Sequence, residues 1–555
     1  MMTDSQKITY FAETDARGKR ISFGIKNPDR SKHVYVIGKT GMGKSTLLEN
    51  MAIQDIRNGE GLAFVDPHGG TAEKLLEYVP RERVKDVLYF APFDTDHPVS
   101  FNVMEDVGVE KRHLVVNGLM SVFEKIWEDA WSARMAYILQ NTLLALLEYP
   151  GATLLAVNRM YTDKAFRTKV VDNVTDVSVK SFWVDEYAKY TDKYAQEATP
   201  AIQNKIGQFA GNPLIRNIIG QPKSSFDVRK LMDEKKILIV NLSKGRVGEG
   251  NARLLGSMLI TKIYLAAMSR ADENAVALSK LPPFYLYVDE FQSFADRSFA
   301  DILSEARKYK LNLTMAHQYI EQMEEEVRDA VFGNVGTMIV FRVGAYDAEV
   351  LEKEFAPTFM AEDLVNLGLR QVYLKLMIDS VASSPFSAVT LPPLAQTESP
   401  HVHEIIENSR KLFSRARDMV EKQITDWHTE GKVVAEPKPA PVMTKPMTPY
   451  KPAVKPAALI PKDGLLGMPK RPSFGNIPTP PPKPPVIPKP ISLKNLNTQK
   501  DNQRKPDPKH VSDLRSALKS VIGSQPAKAV EPPLGGSTAK LGPNPEELKK
   551  ILNGS

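Results

Sequence analysis

The stretch Val34-Tyr35-Val36-Ile37-Gly38-Lys39-Thr40-Gly41-Met42-Gly43-Lys44-Ser45-Thr46 decides the fold. Four apolar, β-favouring residues run into Gly38-x-x-x-x-Gly43-Lys44-Ser45, and Thr46-Leu47-Leu48-Glu49-Asn50-Met51 continues as helix. Strand, glycine-rich loop and helix in that order are the context in which this spacing cradles phosphates. Glycines at 38, 41 and 43 permit positive φ and close backbone approach, so successive N–H groups and a helix N-terminus can surround an anion. On this reading Gly38, Lys39, Thr40, Gly41, Met42, Gly43, Lys44, Ser45 and Thr46 bind ATP. Lys44 contacts the β- and γ-phosphates, the Ser45 hydroxyl is a ligand of Mg2+, and Thr46 starts the helix.

A phosphate loop needs an acidic strand end beside it. Phe284-Tyr285-Leu286-Tyr287-Val288-Asp289-Glu290 provides one, an apolar strand closing on two adjacent carboxylates that pleating points in different directions. Asp289 then holds Mg2+ through its water shell, and Glu290 orients and deprotonates the attacking water. The next apolar run, Leu311-Asn312-Leu313-Thr314-Met315-Ala316, ends in His317-Gln318. A strand beside the acidic one places Gln318 at the γ-phosphate, where an amide can touch both phosphate and water; the alternative is an ordinary loop glutamine. His317 has no second histidine or carboxylate at ligand spacing, so it carries no metal assignment.

Outward from these motifs, short apolar runs at 34–37, 62–65, 87–90, 237–240, 285–288, 311–315, 338–341 and 372–377 alternate with longer helical patterns. Runs that are apolar throughout suit strands buried on both faces of a parallel sheet covered by helices, an α/β fold. Between 110 and 231 the strand pattern gives way to helix-compatible segments such as 135–147 and 198–209. These are either an inserted all-α subdomain or long crossover helices of the same sheet. The expected organisation is lead-in strands over 1–30, core over 31–109 and 232–395 around the helical 110–231, a helical extension over 396–430, and a tail over 431–555. A single amphipathic helix is expected over 402–427.

The 555 residues include no cysteine, which excludes disulfides, thiolate zinc sites and cysteine nucleophiles and suits a reducing cytoplasm. No window reaches the roughly 18 uninterrupted apolar residues of a membrane span, and the longest candidate, 254–268, contains Lys262 and reads as a buried helix. The net charge of +7 is unevenly placed: residues 437–510 hold 14 Lys plus Arg against 3 Asp, which leaves about −4 for the rest. Any contact of the folded part with DNA must therefore come from local patches. Eighteen prolines between 437 and 490, interleaved with lysine, predict a disordered tail. It serves either to bind DNA or anionic surfaces non-specifically or as a tether, with helix-compatible pieces at 511–522 and 545–552.

The motif set resembles the HerA/FtsK superfamily of ring-forming DNA pumps, and most closely the TraG/TraD-type coupling ATPases of conjugative type IV secretion. The residues that carry it are Asp29-Arg30 and His33 before the loop, Phe64-Val65-Asp66-Pro67-His68-Gly69, Tyr287-Val288-Asp289-Glu290-Phe291, and Glu305-Ala306-Arg307-Lys308-Tyr309 leading to Gln318. The resemblance implies a RecA-like P-loop NTPase with a mainly parallel sheet, and a homo-oligomer, a hexamer in that family, that hydrolyses ATP between subunits to move DNA through a pore. It also implies arginines acting across the subunit interface, for which Arg30 and Arg307 hold matching positions and Arg342 is a third candidate; the alternative for each is a salt bridge. Two departures stand out. The usual pair of membrane helices is missing, so a cytoplasmic location peripheral to the membrane through a secretion-channel partner is expected. Only 37 residues precede Gly38, too few for the β-barrel of HerA-type pumps. Polypeptide as cargo, in protein export or pilus assembly, is the rival to DNA, and a nucleotide-switched scaffold is a second.

Overall fold

The computed structural model describes residues 7–15, 18–105, 107–191, 198–396 and 400–429. The tail over 431–555, with its expected disorder and helical pieces, lies outside the described residues.

The strands are β1 (Ile8–Thr14), β2 (Ser22–Lys26), β3 (Val34–Ile37), β4 (Gly61–Asp66), β5 (Val87–Phe90), β6 (Ile237–Asn241), β7 (Phe284–Val288), β8 (Leu311–His317), β9 (Thr337–Val340), β10 (Gln371–Lys375), β11 (Met377–Ile378), β12 (Val381–Ala382) and β13 (Phe386–Thr390). Eleven of them form one sheet in the order β2-β1-β13-β10-β9-β3-β8-β7-β4-β6-β5, and β11 and β12 make a separate hairpin. From β9 to β5 every neighbouring pair is parallel. Beyond β9 the sheet is antiparallel, and the N-terminal strands close it by pairing β1 with β13.

The apolar runs read from the sequence are all strands, with 372–377 broken at Leu376. There the Leu376 N–H turns to the Ser383 hydroxyl at 3.0 Å and the Met377 N–H to Thr337 Oγ1 at 3.1 Å, which starts the hairpin. Burial explains the patterns. β3, β4, β6, β7, β8 and β9 are buried at every position, whereas β10 and β13 alternate, as antiparallel strands with one wetter face do.

Successive strand residues face two different cores. Val34, Val36, Phe64, Ile239 and Tyr287 meet helices α1 (Lys44–Arg57) and α2 (Gly70–Leu76) on one side. Tyr35, Ile37, Val65, Val240 and Val288 meet the helical segment on the other. That segment runs from the helix Arg112–Ile126 to the helix Val228–Asp233, without a strand among the described residues between β5 and β6. Its apolar side chains, from Val115 to Met232, are continuous with the sheet face. The run 254–268 lies in the helix Glu249–Met268, and among the described residues no helix is long and apolar enough to cross a membrane.

The expected single helix over 402–427 is two, Val402–Phe413 and Arg417–Thr429. The break is tertiary: Ser414 bridges Val99 in antiparallel fashion, Arg415 N donates to Pro98 O at 3.4 Å and Arg417 N to Asp96 O at 3.1 Å.

Candidate nucleotide and metal site

β3 delivers the chain into the loop, and its neighbours hold the loop from both sides. Gly38 N donates to His317 O at 3.2 Å at the end of β8, and Lys39 N to Arg342 O at 2.8 Å just past β9. A Cβ at Gly38 would stand 2.5 Å from the Phe341 Cβ, so only glycine allows this approach. Gly41 and Gly43 follow with φ of 78 and 116 degrees. At Gly43 no side chain caps α1, which leaves its first-turn N–H groups for a ligand.

Lys44 is 5% exposed, and its Nζ folds back onto the loop, donating to Gly38 O at 2.6 Å and Lys39 O at 3.3 Å. Burial pulls its ammonium below the ordinary range, opposed by the charges of Glu290 and Asp289. The charges of both acids thus act on the loop lysine. Ser45 Oγ donates to Asp289 Oδ2 at 2.8 Å, bringing together the two side chains expected around Mg2+. Asp289 is almost fully buried, and its carboxyl is pushed up to about 6. Burial is the main cause, with Asp66 and Glu290 adding and the Ser45 hydroxyl opposing. A site that holds carboxylates this dry favours a cation, and the loop's open N–H groups favour phosphate; the residues fit a Mg-nucleotide. Among the described residues no cluster of three or more His, Cys, Asp or Glu could hold a metal.

Glu290 sits on the left-handed backbone at φ 48. Its two carboxylate oxygens accept from two amides, Gln318 Nε2 on Oε1 and Gln292 Nε2 on Oε2 at 2.6 Å. Gln318 in turn accepts the Thr40 hydroxyl at 3.0 Å. Loop, acid strand and β8 therefore form one hydrogen-bonded chain. His317, fully buried, contacts the Tyr35 hydroxyl through Nδ1 at 3.0 Å and is pulled to about 3 by burial, with the Lys44 charge adding.

The residues expected to act across an interface separate into different places. Arg30 is a correction to the sequence reading: it is 1% exposed and clamped inside the subunit. Its Nη1 and Nη2 donate to Asp55 Oδ1 and Oδ2 at 2.7 and 2.8 Å, Nη2 to Tyr287 Oη at 2.7 Å, and Nη1 to Thr9 Oγ1 at 3.1 Å. Its guanidinium also stacks 3.7 Å over Tyr285. Its guanidinium is taken up by partners of its own subunit. The rest of that motif is architectural too: Asp29 accepts the N–H groups of Asp379 and Ser380 in the β11–β12 turn at 3.0 and 2.8 Å. His33 joins Leu303 O at 3.2 Å to Leu313 N at 3.1 Å. Arg307, in the turn Ala306–Tyr309, and Arg342 are exposed. Asp66 spends both oxygens on its own turn, accepting His68 N at 2.8 Å and Ala72 N at 2.9 Å.

A family model described as type IV secretory system conjugative DNA transfer matches residues 5–347. The chain belongs to that family. The solved plasmid coupling protein TrwB in complex with the non-hydrolysable ATP analogue ADPNP is 14% identical with a TM-score of 0.52, and the match covers 72% of this chain and 97% of that one. TrwB in complex with ADP and Mg2+ is 15% identical with a TM-score of 0.51, over 70% and 96%. VirB4 of Thermoanaerobacter pseudethanolicus also matches, at 12% identity and a TM-score of 0.48, over 72% and 99%. No curated protein matches the chain. The expected TraG/TraD-type coupling ATPase with a P-loop α/β fold therefore stands.

Two neighbours of this coupling ATPase's site carry no sequence signal. Gln292 follows the acid pair without belonging to any motif. Arg370, left-handed at φ 62, donates its N–H to Met42 O at 3.3 Å and lays its side chain alongside Gly43. Only the turn leading into β10 brings it there.

Proposed function

We propose that this coupling ATPase is an ATP-driven DNA translocase that works as a ring of identical subunits, a hexamer, with nucleotide held between neighbours. The observation that carries the reading is the chain Thr40–Gln318–Glu290, which ties the phosphate loop to the acid that activates water. Lys44, released from the loop carbonyls, neutralises the β- and γ-phosphates. Ser45, and Asp289 through water, would hold Mg2+, which would supply charge stabilisation of the phosphate oxygens. Glu290 takes the proton of the attacking water, and Gln318 senses the γ-phosphate by turning its Nε2 from Glu290 to a phosphate oxygen. Family membership favours DNA over polypeptide as cargo, and a secretion channel at the membrane as the docking partner.

The test is an ATPase assay of the wild type and Lys44→Ala with and without DNA. DNA should stimulate the wild type, less as salt rises because phosphate contacts release counterions, and Lys44→Ala should stay inactive. Stimulation by a protein partner and none by DNA would replace the cargo assignment.

Arg307 is exposed and is the arginine we assign to the neighbouring subunit's γ-phosphate. Arg307→Ala should bind ATP normally and lose turnover by about a thousandfold. Mixing it with inactive Glu290→Gln subunits should restore part of the activity, since some mixed interfaces hold both intact groups. No recovery on mixing places the arginine in its own subunit's site.

A further inference from the structure

Gln292 has no part in the scheme above, yet its side chain touches the base. Its Nε2 donates to Glu290 Oε2 at 2.6 Å, and its Oε1 is buried without a donor among the described residues. Glu290 itself sits at φ 48 and ψ 49, a backbone that L residues hold only where the surroundings impose it.

The two amides on Glu290 differ in what else they hold. Gln318 comes from the end of β8 and is tied through its Oε1 to Thr40 of the phosphate loop. Gln292 lies in the 3-10 turn Phe291–Ser293 directly after the base, and among the described residues its side chain bonds to Glu290 alone. A triphosphate in the loop competes for Thr40 and Gln318, both of which can donate to phosphate oxygens. It has no such claim on Gln292.

We infer that Gln292 is a positioning residue: it grips Glu290 Oε2 through the cycle and so reserves Oε1 for the water proton once Gln318 turns to phosphate. This rests on Glu290 being the base. In that step the water oxygen bonds to the γ-phosphorus and the bond from γ-phosphorus to the β–γ bridging oxygen breaks, its electron pair leaving with ADP. The water proton passes to Glu290 Oε1 and then to solvent.

The turn has its own supports, Ser293 N to Glu290 O at 2.9 Å and Lys244 Nζ to Ser293 Oγ at 3.2 Å, so removing the amide leaves its backbone bonded. The experiment measures kcat, ATP affinity and thermal midpoint for full-length Gln292→Met, with Gln292→Asn as a second variant whose amide is one methylene short. Both should lower kcat by about tenfold to a hundredfold, the cost of a misplaced catalytic group, while ATP affinity stays within about twofold of wild type. Wild-type kcat overturns the inference, as does turnover raised in the absence of DNA, which would make the amide a brake. A joint fall of kcat, affinity and thermal midpoint overturns it too, by making the residue a loop support. Glu290→Gln is assayed alongside: activity there removes the base assignment, whereas its loss together with wild-type Gln292→Met removes only the present inference.

Discussion

Glu290→Gln should abolish steady-state ATP hydrolysis, by about a hundredfold to ten-thousandfold, the range a positioned general base contributes, while nucleotide binding and assembly persist. The substitution is isosteric, so the left-handed turn at φ 48 keeps its shape. An amide oxygen can still accept one of the two donors that Gln318 and Gln292 direct at this position. A neutral amide cannot take a proton from water, and the two neighbouring carboxylates are already engaged. Asp289 is engaged by Ser45 and by the Glu290 N–H at 2.8 and 2.9 Å, and Asp66 by its own turn. Steady-state phosphate release together with equilibrium binding of a fluorescent nucleotide checks this. Hydrolysis within about tenfold of wild type would mean the base lies elsewhere.

Arg30→Ala should fail in a different way, by unfolding. Removing one member of a buried, bidentate ion pair leaves the other charge uncompensated in a dry interior, at a cost of roughly 3–5 kcal/mol. Here Asp55, 1% exposed, would lose both of its guanidinium bonds and, among the described residues, keep the Tyr287 hydroxyl at 2.6 Å. The damage would spread, because Arg30 joins β1 through Thr9, α1 through Asp55 and β7 through Tyr285 and Tyr287. Arg30→Lys should recover only part of the stability, since an ammonium cannot make the paired contacts or the stacking. The check is the thermal midpoint of unfolding measured beside turnover. An arginine acting across an interface would leave the midpoint unchanged and lose hydrolysis alone, and that pattern would return Arg30 to the role the sequence suggested.

These two residues show why some of the site could be read from the chain and some could not. Glu290 was legible because its signal is local: an apolar strand, then two acids, with the phosphate loop elsewhere to give them meaning. Arg30 was misread for the converse reason. Its position in a motif before the loop is equally local, but its partners Asp55 and Tyr287 lie 25 and 257 residues away, and burial alone turns a candidate finger into a clamp. Gln292 and Arg370 went unseen because neither belongs to a motif and only the fold shows what their side chains touch. The break at Ser414 belongs with them, since the amphipathic pattern runs through it and contacts with the distant residues Asp96, Pro98 and Val99 interrupt it.

What the amino-acid order settles is whatever short-range chemistry dictates: a glycine-rich turn feeding a helix, strands apolar on both faces, a lysine, a hydroxyl and two acids suited to a metal-bound triphosphate. What waits for the folded chain is whatever depends on distant segments meeting. The antiparallel closure of the sheet by β1 and β13 is one case, the shared core of sheet and helical segment another, and the fate of each arginine a third. A side chain's charge is written in the sequence, but whether water or another residue answers that charge depends on which distant strand packs over it.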